Sequence, residues 1–147
     1  MLDGAARVTD LVTEAARQEM PAVAITDHGN LFGAFDFYKQ AKKVGIKPII
    51  GIESYVAPET RFDKRKVQWA QGGEDDVSGG GSYTHMTILA ETNEGLANLF
   101  RLSSLASLEG FYYKPRIDRE LLSKYGKGLI GTTGCPGGEI QTRLRMG

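Results

Sequence analysis

Apolar residues recur along this chain at helical spacing, then in short unbroken runs, and the two patterns alternate. Leu11, Val12, Ala15, Ala16 and Met20 fall every three to four residues, with Thr9 ahead of them as a helix cap and Pro21 as a stop. Ala22, Val23, Ala24 and Ile25 then form an apolar strand that ends on Asp27 and His28. A second helix is predicted from an Asn30 cap, with Leu31, Phe35, Tyr38 and Ala41 as its buried stripe and Gly45 as its close. KPIIGIESYVA (47–57) and THMTILAE (84–91) read as strands, and a helix is predicted from about Asn93 to Ser107. IDRELLSKY reads as a further helix, GLIGTT (128–133) as a strand, and EIQTRLRM as a last helix.

One stretch breaks the rhythm. Residues 58–82 contain RFDKRK and GGEDDVSGGGS, polar and without period, and read as a long surface loop within one domain. Repeated strand–helix units with short turns predict parallel strands joined by right-handed crossovers, hence an α/β fold. An open sheet and a barrel share that pattern. Too few strands are present to close a barrel, so the chain reads as part of a larger unit.

Composition narrows the classes. At 147 residues with 41% hydrophobic content, the chain is long enough to bury a core, and no apolar run approaches a membrane span. Eighteen basic and eighteen acidic residues cancel, which gives no support to independent DNA binding, since phosphate affinity comes from a cationic excess. A single cysteine rules out an internal disulfide framework and fits the reducing cytoplasm, and the start has neither the basic head nor the apolar core of a signal peptide.

In parallel α/β folds the chemistry gathers where strands end. Ligand-type side chains stand at such places: Asp27 and His28 after the first strand, Glu53 in the second, Cys135 after GLIGTTG, and Asp3 ahead of the first helix. Imidazole, carboxylate and thiolate together suit zinc, with manganese, iron or magnesium as alternatives. Scattered single ligands suggest a catalytic cluster of two or three divalent metals, because a structural zinc site would use paired CxxC ligands and none occur. His85 fits least well, since a simple barrel puts the start of its strand at the wrong end.

Each of these residues has a plain structural alternative. Asp27 and His28 can cap a turn, Glu53 can pair with a lysine, Cys135 can be a small buried residue, and Asp3 can favour a helix start. Phe111, Tyr112 and Tyr113 can stack bases or simply pack. Arg61, Lys64, Arg65 and Lys66 form a basic run that reads as a solvated loop, with DNA contact as its functional alternative. No serine or cysteine triad and no Walker or dinucleotide loop stands out.

The stretch ITDHGNLFGAFDFYKQAKKVGIKPIIGIE resembles the second conserved block of the polymerase-and-histidinol-phosphatase (PHP) domain. GFYYKPRIDRELL, GLIGTTGCPGGEIQTRL and DDVSGGGSYTHMTILAE are similar to the branch of that family at the front of bacterial DNA polymerase III alpha subunits, in its actinobacterial form. The resemblance runs over 1–147. It implies part of a distorted, TIM-like (β/α)7 barrel whose metal ligands here would be Asp3, His28, Glu53, His85 and Cys135. Asp27 would then lie in the turn or behind the ligands. The family's opening His-x-His, expected upstream of Leu2, and its closing Asp-x-His, expected downstream, are not in this sequence. A PHP domain without its first strand and its C-terminal part is therefore expected.

Because every ligand position covered is still a ligand type, the resemblance implies a parent of the active kind. Its PHP domain would be a metal-dependent 3′–5′ proofreading exonuclease acting through a metal-activated water. Its implied partners are the rest of the alpha subunit, primer-template DNA, the sliding clamp and other replisome subunits. A non-catalytic PHP scaffold for the polymerase and a stand-alone PHP phosphoesterase are the rival readings. FYYKPRID argues against the phosphoesterase.

Overall fold

The computed structural model describes residues 4–67 and 80–146. Chain order is α1 (Val8–Arg17), β1 (Ala22–His28), α2 (Ala34–Val44), β2 (Lys47–Val56), β3 (Thr84–Ala90), α3 (Asn93–Leu108), β4 (Arg116–Ile117), α4 (Arg119–Tyr125), β5 (Leu129–Gly131) and α5 (Glu139–Met146). The strands form one sheet in the order β1-β2-β3-β5, and β4 pairs with β2 at Tyr55 and Val56, beyond the point where β1 stops. Among the described residues no helix is long and apolar enough to cross a membrane.

The expected alternation of strands and helices is present, but the sheet is mixed. β1 and β4 run parallel to β2, whereas β3 is antiparallel to both β2 and β5. The physical reason lies in the 58–82 segment. A parallel partner needs a crossover, normally helical, and this polar stretch brings the chain back beside β2 in the opposite sense.

Strand alternation sends side chains to two different faces. Val23 and Ile25 of β1, Ile50, Ile52 and Val56 of β2, and Ile88 of β3 share one face, and the helices cover it. Val12 and Ala15 of α1 pack there with Phe37 and Ala41 of α2, while Leu99, Leu102 and Ala106 of α3 and Leu121 of α4 form the second cluster. The other face carries His28, Glu53, Tyr55 and His85.

Two helix details differ from expectation. α1 starts from Arg7 without a side-chain cap, and Met20 is exposed rather than part of the stripe. α2 buries Ala34, Phe37 and Ala41, whereas Phe35 and Tyr38 face outward. Aromatic residues stand on both sides of this helix, so apolar spacing alone allowed two phases. Gly45 does close the helix. Asn30 organises the turn before it, its Oδ1 accepting from the Phe32 amide at 2.9 Å.

The 58–82 segment is fixed at both described ends by buried arginines. Arg116 of β4 is fully buried, and its guanidinium donates to the carbonyls of Gly110, Ser82, Arg61 and Asp63 at 2.9–3.1 Å. Burial lowers its pKa from the usual arginine value. Arg61 is 7% exposed and lies among Glu109, Asp118 and Glu120, at 2.6, 3.0 and 2.9 Å. The expectation of Arg61 as a DNA contact on a solvated loop is therefore corrected, because its charge is already neutralised indoors. Lys64, Arg65 and Lys66 remain exposed, although Arg65 is paired with Asp63.

Asp118 caps α4 by accepting from the Leu121 amide, and also accepts from Arg61. Burial opposes its ionisation, but the amides of Arg61 and Leu121 and the Arg61 guanidinium outweigh that and hold the pKa below its ordinary value. With the folded pKa depressed, its stabilising contribution is complete above the ordinary aspartate pKa of about 3.9 and fades as pH falls through the lower folded value. Urea midpoints measured as pH falls below about 4 are expected to decline more gently in Asp118→Asn than in the native chain. Identical acid limbs would contradict this.

Candidate metal centre

Register alone explains why three ligand-type side chains meet. His28, the last residue of β1, pairs directly with Glu53, and β2 carries Tyr55 two residues further on the same face. Because β3 runs antiparallel, its start lies beside the end of β2, where His85 pairs with Tyr55. Reversal of that one strand removes the misfit of His85 seen from a simple barrel. Glu53 thus stands on the central strand between two imidazoles.

His85 Nδ1 lies 2.8 Å from Glu53 Oε1, and His28 Nε2 lies 3.6 Å from the same oxygen. One donor atom from each residue falls within 4.8 Å of the others. Among the described residues this is the one group of three or more such side chains. The shorter contact is a direct hydrogen bond; the longer one is not. Two ligands held about 2.1 Å from a tetrahedral metal stand about 3.4 Å apart, so the donor set fits a divalent ion with small side-chain shifts. His85 and Glu53 are mostly buried and His28 is half exposed, giving a site open to solvent on one side.

Tyr55 braces the imidazoles. Its ring centroid lies 6.4 Å from that of His28 and 5.2 Å, edge-on, from that of His85, with Tyr83 4.8 Å away. Burial is the main reason its phenol pKa is raised, with Tyr83 and Glu53 adding to it. Tyr55 is not among the site residues expected from the sequence. Its place two residues after Glu53 on a strand was the available signal.

The remaining candidates fall elsewhere. Asp27 pairs with Ile52 on the helix-covered face, and its Oδ2 accepts from the Gly33 amide at 2.7 Å. Strand alternation, which puts His28 toward the site, turns Asp27 away from it, so the position behind the ligands is corrected to a turn cap. Cys135 sits in the loop after β5, its Sγ accepting from Gly137, outside the three-residue group. The same loop reaches the site's edge, since the Gly137 carbonyl accepts from the His85 amide at 3.0 Å. Asp3 lies outside the described residues.

Gly29, directly after His28, has φ +71°, and a Cβ there would come within 2.8 Å of Tyr55 and 2.9 Å of Pro115. Gly29→Ala is expected to cost about 1–2 kcal/mol from the left-handed backbone alone. A thermal melt would show the loss as several degrees; an unchanged midpoint would contradict it.

A parallel and antiparallel mixed sheet, helices on one face and a histidine–glutamate–histidine cluster on the other define an α/β fold with a candidate metal site. Residues 1–147 match the family model described as PHP domain, and the chain belongs to that family. The curated proteins it resembles include DNA polymerase III alpha subunits. That of Saccharopolyspora erythraea is 63% identical over 99% of this chain and 13% of its own length. That of Mycobacterium tuberculosis strain H37Rv is 57% identical over all of this chain and 13% of its own length. That of Thermus aquaticus is 51% identical over 95% and 11%. The chain thus spans 11–13% of the length of these curated relatives.

Proposed function

We propose that this chain is the metal-holding part of the PHP domain of a bacterial replicative DNA polymerase III alpha subunit. In its complete form the domain is a distorted (β/α)7 barrel and a 3′–5′ proofreading exonuclease, working in the cytoplasm. The observation that carries the reading is the convergence of His28, Glu53 and His85 on the sheet face opposite the core helices, open to solvent at His28. Kinship with polymerase subunits favours this over a free-standing phosphoesterase.

His28, Glu53 and His85 would hold a first divalent ion, zinc before manganese, iron or magnesium on donor chemistry. Cys135 and Asp3 are assigned to the remaining one or two ions of the completed domain. A metal bound there supplies Lewis acidity and lowers the pKa of a water near the phosphodiester. Glu53 offers its second oxygen as an acceptor, and the Glu53–His85 contact fixes which imidazole nitrogen points inward. Tyr55 and Tyr83 shield the inner side from solvent. Primer-template DNA, the rest of the alpha subunit, and through it the sliding clamp and other replisome subunits are the partners of this assignment.

The test is removal of a 3′ mismatch from a primer-template by the full-length parent. Chelation is expected to stop removal, and added zinc or manganese to restore it, with His28→Ala refractory to both. If His28→Ala lowers the melting temperature but leaves mismatch removal intact, the domain is a scaffold.

A further inference from the structure

We propose that the loop 111–115, together with Lys66, is a rest for the 3′ end of a single-stranded nucleic acid leading into the metal centre. Lys114 would pair with a backbone phosphate, and Tyr113 would stack the neighbouring base. The proposal rests on the phosphodiester reading above and adds the residues that seat the substrate.

The loop is joined to the site through one ring. Lys114 Nζ lies 5.6 Å from the Tyr55 ring centroid, and the His85 ring lies 5.2 Å from that same centroid. Pro115 packs near Gly29, the residue after His28. The Lys114 side chain is exposed, and among the described residues its ammonium rests over the Tyr55 ring rather than on a carboxylate. A cation at the rim of a histidine–glutamate cluster suits a phosphate that must approach that cluster.

From there the strip continues outward. Tyr113 is 61% exposed at φ +59°, a left-handed backbone that a bulky residue rarely adopts. The Tyr112 ring lies 4.5 Å away and tilted, and Lys66 Nζ stands 5.3 Å from the Tyr113 centroid. Phe111 beside it is also exposed. Two exposed lysines beside the exposed rings of Phe111 and Tyr113 suit a single strand, whose bases offer π-faces and whose backbone offers one charge per nucleotide. A protein partner would call for apolar area without the two cations. Zero net charge for the whole chain is compatible with so local a strip.

The experiment is fluorescence anisotropy of a 5′-fluorescein oligo-dT with the native chain in EDTA, so that binding is read apart from cleavage. Tyr113→Ala is expected to weaken binding about tenfold, Tyr113→Phe to leave it unchanged, and an abasic 3′ end to weaken the native chain alike. Lys114→Gln is expected to lower the salt slope of log Kd by about 0.7. Native-like affinity and slope in Tyr113→Ala and Lys114→Gln, with melting unchanged, would overturn the rest. Replacement of oligo-dT by oligo-rU separates DNA from RNA as the source of the strand. If the variants bind weakly as expected but the completed domain cleaves nothing with metal, the exonuclease reading falls and the rest stands.

Discussion

Replacing Arg116 by methionine is expected to lower the unfolding midpoint by about 10 °C, the largest stability effect of any single side chain in the described fold. Arg116 is fully buried, and its donors meet four carbonyls from three separate segments: Gly110 after α3, Ser82 before β3, and Arg61 and Asp63 after β2. Methionine keeps much of the aliphatic volume but supplies no donor. Each buried carbonyl left unpaired costs about 1–3 kcal/mol, and some regain water, so the net loss is about 4 kcal/mol. A domain of this size has about 5–15 kcal/mol in all. Arg116→Lys is expected to fall between, because one ammonium cannot span the arginine fork. A methionine variant that melts within about 2 °C of the native chain would show that water already serves those carbonyls.

On the exonuclease proposed above, Glu53→Gln in the full-length parent is expected to cut 3′-mismatch removal at least 100-fold while synthesis stays within about twofold. The substitution conserves shape, so the sheet register that sets His28 against Glu53 and His85 against Tyr55 is kept. What is lost is the negative charge shared by both imidazoles at 2.8 and 3.6 Å. A neutral amide binds a divalent ion far less well than a carboxylate, and its amino group can point into the site. Equal mismatch removal by the variant would remove Glu53 from the centre, and a parallel fall in synthesis would make it a structural residue of the polymerase.

Local chemistry made much of this molecule legible before its coordinates. The strand ending on His28, the strand carrying Glu53, the strand opening on His85 and the Gly45 stop all follow from short runs whose signals lie within a few residues. What was not legible depended on distant partners. Arg61 looked like one charge in a basic run, yet its acidic partners Glu109, Asp118 and Glu120 come 48 to 59 residues later. β3 was expected parallel and is antiparallel, because a loop as long as 58–82 allows either sense and only pairing with β2 decides it. Asp27 and His28 were one signal in sequence and became two in structure, because adjacent strand residues face opposite ways. The phase of α2 was ambiguous for a related reason, since aromatic residues at 35, 37 and 38 suit more than one face.

Metal content tests most directly whether His28, Glu53 and His85 hold a divalent ion. The chain, stripped with chelator and titrated with zinc or manganese, is weighed intact by native mass spectrometry beside Glu53→Gln and His85→Ala. At least one ion is expected to stay with the native chain and to be lost from both variants at unchanged folding. An ion-free native chain, or equal retention in all three, would contradict it.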